Sequence, residues 1–208
     1  MESVSLLRIL SFTCPAELEP DAGIFYCQSA FSLQVRTLVN KNLLLENTRV
    51  ALRPVEAGDS DFLCRVYAST REREMALVAW TAEQKTGFLL MQFNAQREHY
   101  LKYYPKAEYF VVERDGIAIG RLIVDRSKDP LFLADIAILP EYRNAGVGTA
   151  IIRDLMNEAA SRNWSMSLYV EIFNPVIELY TRLGFVKVAD EAAYHQLSWH
   201  QVTQNSYA

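Results

Sequence analysis

The chain has 208 residues, half of them hydrophobic, 12% aromatic and 22% charged. That balance fits one folded core and excludes a disordered or fibrous protein. A formal net charge of −4 argues against a nucleic-acid partner held by bulk electrostatics, and no stretch approaches the ~20 apolar residues that span a bilayer. Cys14, Cys27 and Cys64 are odd in number and lack CxxC spacing, as expected of reduced thiols rather than a disulfide framework. The early apolar run from Val4 to Phe12 is interrupted by Ser5, Arg8 and Ser11 and has no basic lead, so a secretory leader is not expected. A soluble cytoplasmic protein is the expectation.

Residues 1–47 read as an N-terminal extension of unknown role, punctuated by Pro15, Pro20 and Gly23, with an alternating strand pattern over Phe31–Val39. A main domain is expected over 48–208. Val50 and Leu52 alternate with Arg49 and Arg53, a strand. Asp59 is placed to N-cap a helix carrying Phe62, Leu63, Val66 and Tyr67. A second helix is expected between Thr81 and Pro105, with Phe88, Met91, Gln92, Ala95, His99 and Lys102 recurring at helical period. Tyr109–Glu113, the turn Arg114-Asp115-Gly116 and Ile117–Val124 read as a hairpin, followed by a nearly all-apolar strand, Leu131–Leu139.

Beyond Pro140, Gly146-Val147-Gly148 opens a helix with Ile151, Ile152, Leu155 and Ala159 on its inner face, and Met166–Glu171 alternates as a strand. Asn174-Pro175 is expected to start a short helix that Gly184 ends, before two closing strands, Phe185–Val188 and Tyr194–Trp199. The strand–helix–strand order implies a right-handed parallel crossover within a mixed sheet, an α/β or α+β fold.

The segment Ile136-Ala137-Ile138-Leu139-Pro140-Glu141-Tyr142-Arg143-Asn144-Ala145-Gly146-Val147-Gly148-Thr149 runs a strand into a glycine turn at the mouth of a helix. Bare N–H groups and the positive end of a helix dipole suit a pyrophosphate. No GxxxxGK[ST] follows, which excludes a Walker loop, and Ile151 occupies the third glycine position of a dinucleotide fingerprint. His99, His195 and His200 lack ligand spacing, so no metal is expected.

Arg143-Asn144-Ala145-Gly146-Val147-Gly148 resembles the Gln/Arg-x-x-Gly-x-Gly/Ala signature of the GNAT superfamily of acetyl-CoA-dependent N-acetyltransferases. Asn174-Pro175-Val176-Ile177-Glu178-Leu179-Tyr180-Thr181-Arg182-Leu183-Gly184-Phe185 resembles the same family's Asn-Pro-Ala-x-x-Leu-Tyr-x-x-x-Gly-Phe block. The resemblance covers about 48–200 and departs at Ala145, where many members carry Arg-Gly.

The resemblance implies a mixed, mostly antiparallel sheet with a parallel pair splayed for acetyl-CoA. The backbone of Ile136, Ala137 and Ile138 would hydrogen-bond acetyl and pantetheine, and Arg143, Asn144, Ala145, Gly146, Val147, Gly148 and Thr149 would cradle the pyrophosphate. Asn174 would face the pantetheine arm, and Tyr180 would protonate the departing CoA thiolate. Glu171 and Asp135 are the candidate bases, with water as an equal alternative. Trp80, Gln92, Phe93, Gln96 and Tyr103 are candidates for the acceptor side. The implied acceptor is an amine-bearing small molecule or peptide; a homodimer is compatible. A non-catalytic acyl-CoA-binding module and a structural protein on the same fold stay open, because fold alone does not fix function.

Overall fold

The computed structural model describes residues 41–45 and 48–201. The strand expected over Phe31–Val39 and two of the three cysteines, Cys14 and Cys27, lie outside the described residues. In chain order the strands are β1 (Lys41–Leu45), β2 (Thr48–Pro54), β3 (Glu108–Arg114), β4 (Ile117–Asp125), β5 (Leu131–Ile138), β6 (Met166–Glu171), β7 (Val186–Glu191) and β8 (Tyr194–Trp199). The helices are α1 (Ser60–Thr70), α2 (Glu72–Ala76), α3 (Ala82–Tyr103), α4 (Val147–Ser161) and α5 (Ile177–Arg182). The strands form one sheet in the order β1-β2-β3-β4-β5-β6-β8-β7. Every neighbouring pair is antiparallel except β5 and β6, the crossover that carries α4. Lys41–Leu45, read from sequence as the end of the extension, pair with β2 over their whole length.

The sheet's two faces differ. On one, Leu122, Val124, Leu131, Leu133, Leu168 and Val170 pack against α4 through Val147, Ile151, Ile152, Leu155 and Ala159, and Tyr180 joins the same cluster from α5. The spacing of the α4 residues is the inner stripe expected of it. On the other face Ala137 and Leu139 meet Phe62 and Val66 of α1. β5 is accordingly not buried on both faces throughout; Phe132, Ala134, Asp135, Ile136 and Ile138 are only partly covered.

Three local expectations are corrected. Asp59 does precede α1, but its carboxylate does not cap it; it accepts from Arg53 at 2.9 Å and from the Glu56 N–H at 2.7 Å. The Arg53 guanidinium holds Asp59 below the usual carboxylate range. α3 starts as expected, with Thr81 and Gln84 in a reciprocal cap, but it buries Gln92, Phe93 and Gln96 and leaves Met91 exposed. Its inner face lies one residue away from the expected stripe. α5 begins at Ile177 rather than at Pro175, because the Asn174 Oδ1 first accepts the Val176 N–H at 3.0 Å in a turn.

Candidate active site

β5 and β6 are paired only at Leu131–Met166, Phe132–Ser167 and Leu133–Leu168. Beyond Leu133 the two strands part. A bulge in β5 marks the place: Val124 faces Leu133 and Ile123 faces Asp135, which leaves Ala134 as the extra residue. After it, β5 stays on β4 as far as Gly120–Ile138. A Cβ on Gly120 would run into the Ala137 carbonyl oxygen and stand 2.7 Å from the Ile138 Cδ1, so a side chain there is excluded by contact.

The ladder decides which backbone groups face the gap. The Leu139 N–H donates to the Ile119 carbonyl at 2.8 Å. Bonded and non-bonded pairs alternate in an antiparallel ladder, so Ala137 opposite Arg121 is the next bonded residue. Ile136 and Ile138 therefore turn their N–H and C=O groups away from β4, towards the gap. Ala137, expected with them, spends its backbone groups on β4. The Ile138 carbonyl also accepts the Arg143 Nε at 2.7 Å, so Arg143 braces the end of β5; its other nitrogen reaches the Ser69 carbonyl at 3.4 Å.

A one-turn 3-10 helix, Pro140–Tyr142, carries the chain from β5 to α4. Asn144 (φ 60°) and Gly146 (φ 77°) both adopt the left-handed conformation, which Asn tolerates and Gly adopts freely. Gly146 sits at the N-cap with no side-chain cap, and the first α4 hydrogen bond runs from the Ala150 N–H to the Gly146 carbonyl. The N–H groups of Val147, Gly148 and Thr149 precede it and have no helical i−4 partner. A Cβ on Gly148 would meet nothing within 4 Å. The turn thus offers open space against bare donors at a helix N-terminus, which fits a phosphate group.

Tyr180 lies on the same side of the sheet as α4, 5% exposed, with its ring 5.5 Å from that of Phe185 in an edge-on contact. Its hydroxyl has no hydrogen-bond partner among the described residues. Gly184 (φ 92°) ends the helix, and the Phe185 N–H returns to the Tyr180 carbonyl at 3.0 Å, fixing the backbone that carries the phenol. Burial, and secondarily the negative charge of Asp135, push the phenol well above its ordinary range, so it holds its proton.

The two candidate bases stand on the strands that part. Asp135 pairs with Arg121 of β4 at 2.5 Å, in a close ion pair rather than a well-angled hydrogen bond. Glu171, at the end of β6, pairs with Arg71 at 3.3 Å. Each carboxylate is thus paired with an arginine through one oxygen. Asn174, expected to face a ligand, spends its Oδ1 on the turn before α5. Of the acceptor-side candidates, Phe93 and Gln96 line a cavity of about 110 Å³ between α1, α3 and the β3–β4 hairpin, together with Tyr109, Arg121 and Ile123. Trp80 packs on Phe88, and Tyr103 on His99, away from that cavity's lining. Sequence reasoning missed Arg121. The available signal was a lone charge inside the otherwise apolar β4, which calls for a buried partner. Among the described residues no group of His, Cys, Asp and Glu could hold a metal ion, and no helix is long and apolar enough to cross a membrane.

Residues 105–187 match the family model described as an acetyltransferase (GNAT) domain. A Bacillus subtilis protein, provisionally named a ribosomal protein bS18-alanine N-acetyltransferase, is 34% identical over 141 residues, 66% of this chain and 81% of that one. The chain belongs to the GNAT acetyltransferase family. An N-alpha-acetyltransferase of Sulfurisphaera tokodaii is 29% identical over 106 residues, and the alignment spans 44% of this chain and 62% of the archaeal protein. Solved structures share the fold. The PaiA N-acetyltransferase of Thermoplasma acidophilum, determined in complex with coenzyme A, superposes with a TM-score of 0.55 at 14% identity, over 73% of this chain and 98% of that one. A Pyrococcus horikoshii protein, PH1933, gives 0.57 at 16% identity, over 74% and 98%. The mixed sheet with one parallel pair is the GNAT architecture, as its sequence blocks implied.

Proposed function

We propose that this GNAT protein transfers acetyl from acetyl-CoA to the α-amino group of a peptide or protein. The observation that carries the reading is the parting of β5 and β6 beside an uncapped helix N-terminus, with a buried tyrosine on the same side. The names of the two relatives, one acting on N-alpha groups and one on an alanine of a ribosomal protein, support the choice of amine.

In this reading the N–H groups from Asn144 to Thr149 bind the pyrophosphate, and the gap-facing groups of Ile136 and Ile138 align the acetyl and pantetheine amides. The amine nitrogen attacks the acetyl carbonyl carbon, the C–N bond forms and the C–S bond breaks. Tyr180 gives its proton to the departing sulfur, and the amine's surplus proton leaves through Glu171, Asp135 or water. An α-amine has a pKa near 7.7–8.0, so roughly one in seven is neutral at pH 7 and deprotonation costs only ~1 kcal/mol; a lysine near 10.4 would cost ~4–5 kcal/mol. A site whose two carboxylates are both paired with arginine suits the less demanding amine.

The test pairs binding with turnover. Acetyl-CoA at 100 times Kd should stabilise the full chain by about 2.7 kcal/mol in a thermal melt. Gly146→Glu should abolish that shift, because it sets bulk and negative charge against the phosphates. A peptide with a free N-terminal alanine should release CoA thiol, and the same peptide N-acetylated but carrying a lysine should not. Equal release from both would move the acceptor to lysine. An unchanged melting temperature at millimolar CoA would overturn the reading.

A further inference from the structure

The two carboxylates that flank the β5–β6 gap are each held from the α1 side of the sheet, Asp135 by Arg121 and Glu171 by Arg71. Both arginines lie against one ring: the guanidinium of Arg71 is 5.9 Å and that of Arg121 5.8 Å from the centre of Tyr67, itself 1% exposed on α1. Arg121 is the more deeply placed, at 4% exposure in the middle of β4. Its Nη2 donates to the Gln96 Oε1 of α3 at 2.8 Å, a buried contact. The line Gln96–Arg121–Asp135 therefore runs along the α1 face of the sheet, from α3 over β4 to β5, where the gap opens, and the charge of Asp135 reaches the Tyr180 phenol.

A guanidinium in that position is not explained by stability. Replacing a buried ion pair with well-packed apolar residues of similar volume is often neutral or stabilising, whereas removing one partner alone is strongly destabilising. The rest of the β4 interior, Ile119, Leu122, Ile123 and Val124, is apolar. What Arg121 does control is Asp135. The carboxylate sits immediately after the bulge residue, where β5 has left β6 and no strand partner on that side fixes its direction. The clamp supplies the constraint that the ladder has given up.

We propose that Arg121, backed by Gln96 and Tyr67, is a positioning residue that holds the Asp135 carboxylate at the edge of the gap, where it meets the incoming ammonium group. The inference rests on the acetyltransferase reading above. In this reading Arg121 acts through Asp135.

A double-mutant cycle in the full chain tests this, using the free-amine peptide and acetyl-CoA, with CoA affinity measured by calorimetry and folding by melts. Arg121→Met should lower kcat by on the order of 10²-fold, the typical effect of misplacing a reacting group by about 1 Å, and should leave the CoA Kd within about twofold. Arg121→Lys should recover most of the loss. Asp135→Asn should lower kcat comparably, and the double variant should be no worse than Asp135→Asn, since groups that act as a unit are not additive. Multiplicative losses in the double variant, or a folded Arg121→Met with kcat within about threefold of wild type, would overturn the proposal. If Arg121→Met does not fold, Gln96→Leu decides: it keeps both charges but removes the support, and should lower kcat several-fold at unchanged KM for acetyl-CoA, whereas an unaltered kcat overturns the clamp. A wild-type chain that binds no CoA would overturn the acetyltransferase reading and this inference together; one that turns over normally while Arg121→Met matches it would overturn this inference alone.

Discussion

A tyrosine buried to 5% exposure is ordinarily a packing residue, and Tyr180 does pack, edge-on against Phe185. Packing and catalysis separate on one atom. The Tyr180 hydroxyl makes no hydrogen bond to a described residue, and burial raises its pKa above the ordinary range. A protonated hydroxyl with no protein partner can donate to a departing thiolate. Tyr180→Phe should therefore lower kcat by about 10²–10⁴-fold while CoA affinity and melting temperature barely move, since Phe fills nearly the same volume. A CoA thiol near pKa 8.5 can leave unaided at some rate, so the variant should be slow rather than dead. Steady-state kinetics beside a melt decides: a folded variant keeping more than about a third of wild-type kcat would remove Tyr180 from the chemistry, provided chemistry limits turnover.

At the scale of elements, the site follows from how β5 is held. It is locked to β4 along its length and to β6 for three residues only, so the gap is as rigid as the β4–β5 ladder. Gly120 sets that ladder's spacing. Gly120→Ala should destabilise the fold by roughly 1–3 kcal/mol, because the added methyl meets the Ala137 carbonyl, and should weaken CoA binding as Ile138 shifts. Denaturant melts and calorimetry read the two effects, and an alanine variant as stable as wild type would mean that β5 yields without consequence. The sequence carried much of this element order, since the hairpin, α4 and the glycine turn all rest on local signals: turn residues, apolar period and helix-terminal glycine. What it could not carry was tertiary. Asp59 and its helix start were legible, but a cap and an ion pair with Arg53 compete for the same carboxylate, and only the fold brings Arg53 within 2.9 Å. The mixed polar composition of α3 left its inner face ambiguous until the partner of Gln96, a buried arginine, was in place. The glycine turn and the start of α4 were readable to the residue; the direction of Ala137's backbone was not, because it depends on ladder phase.

For the whole molecule, the domain's start bears on stability and the site's location on binding. Both sequence blocks and every residue of the gap lie beyond Thr48, yet Lys41–Leu45 pair with β2 along five residues and β1 lies beside α4. Removing β1 would leave β2 as an edge with unpaired N–H and C=O groups and would strip a neighbour from the helix that carries the phosphate turn. A chain beginning at Lys41 and one beginning at Thr48 should therefore differ. The first should bind CoA within about twofold of the full chain, as binding energy tracks contacts at the site. The second should melt several degrees lower, a shift of about 2–4 °C for each kcal/mol lost in a domain of this size. Once saturated with CoA it should recover part of that difference, because ligand binding to the folded state adds RT ln(1 + [L]/Kd) whatever the origin of the instability. Calorimetric titration and melts of both truncations beside the full chain measure this. A tenfold loss of CoA affinity in the folded chain that starts at Lys41 would show that residues 1–40 complete the site, and equal melting of the two truncations would show that β1 contributes nothing to the sheet's stability.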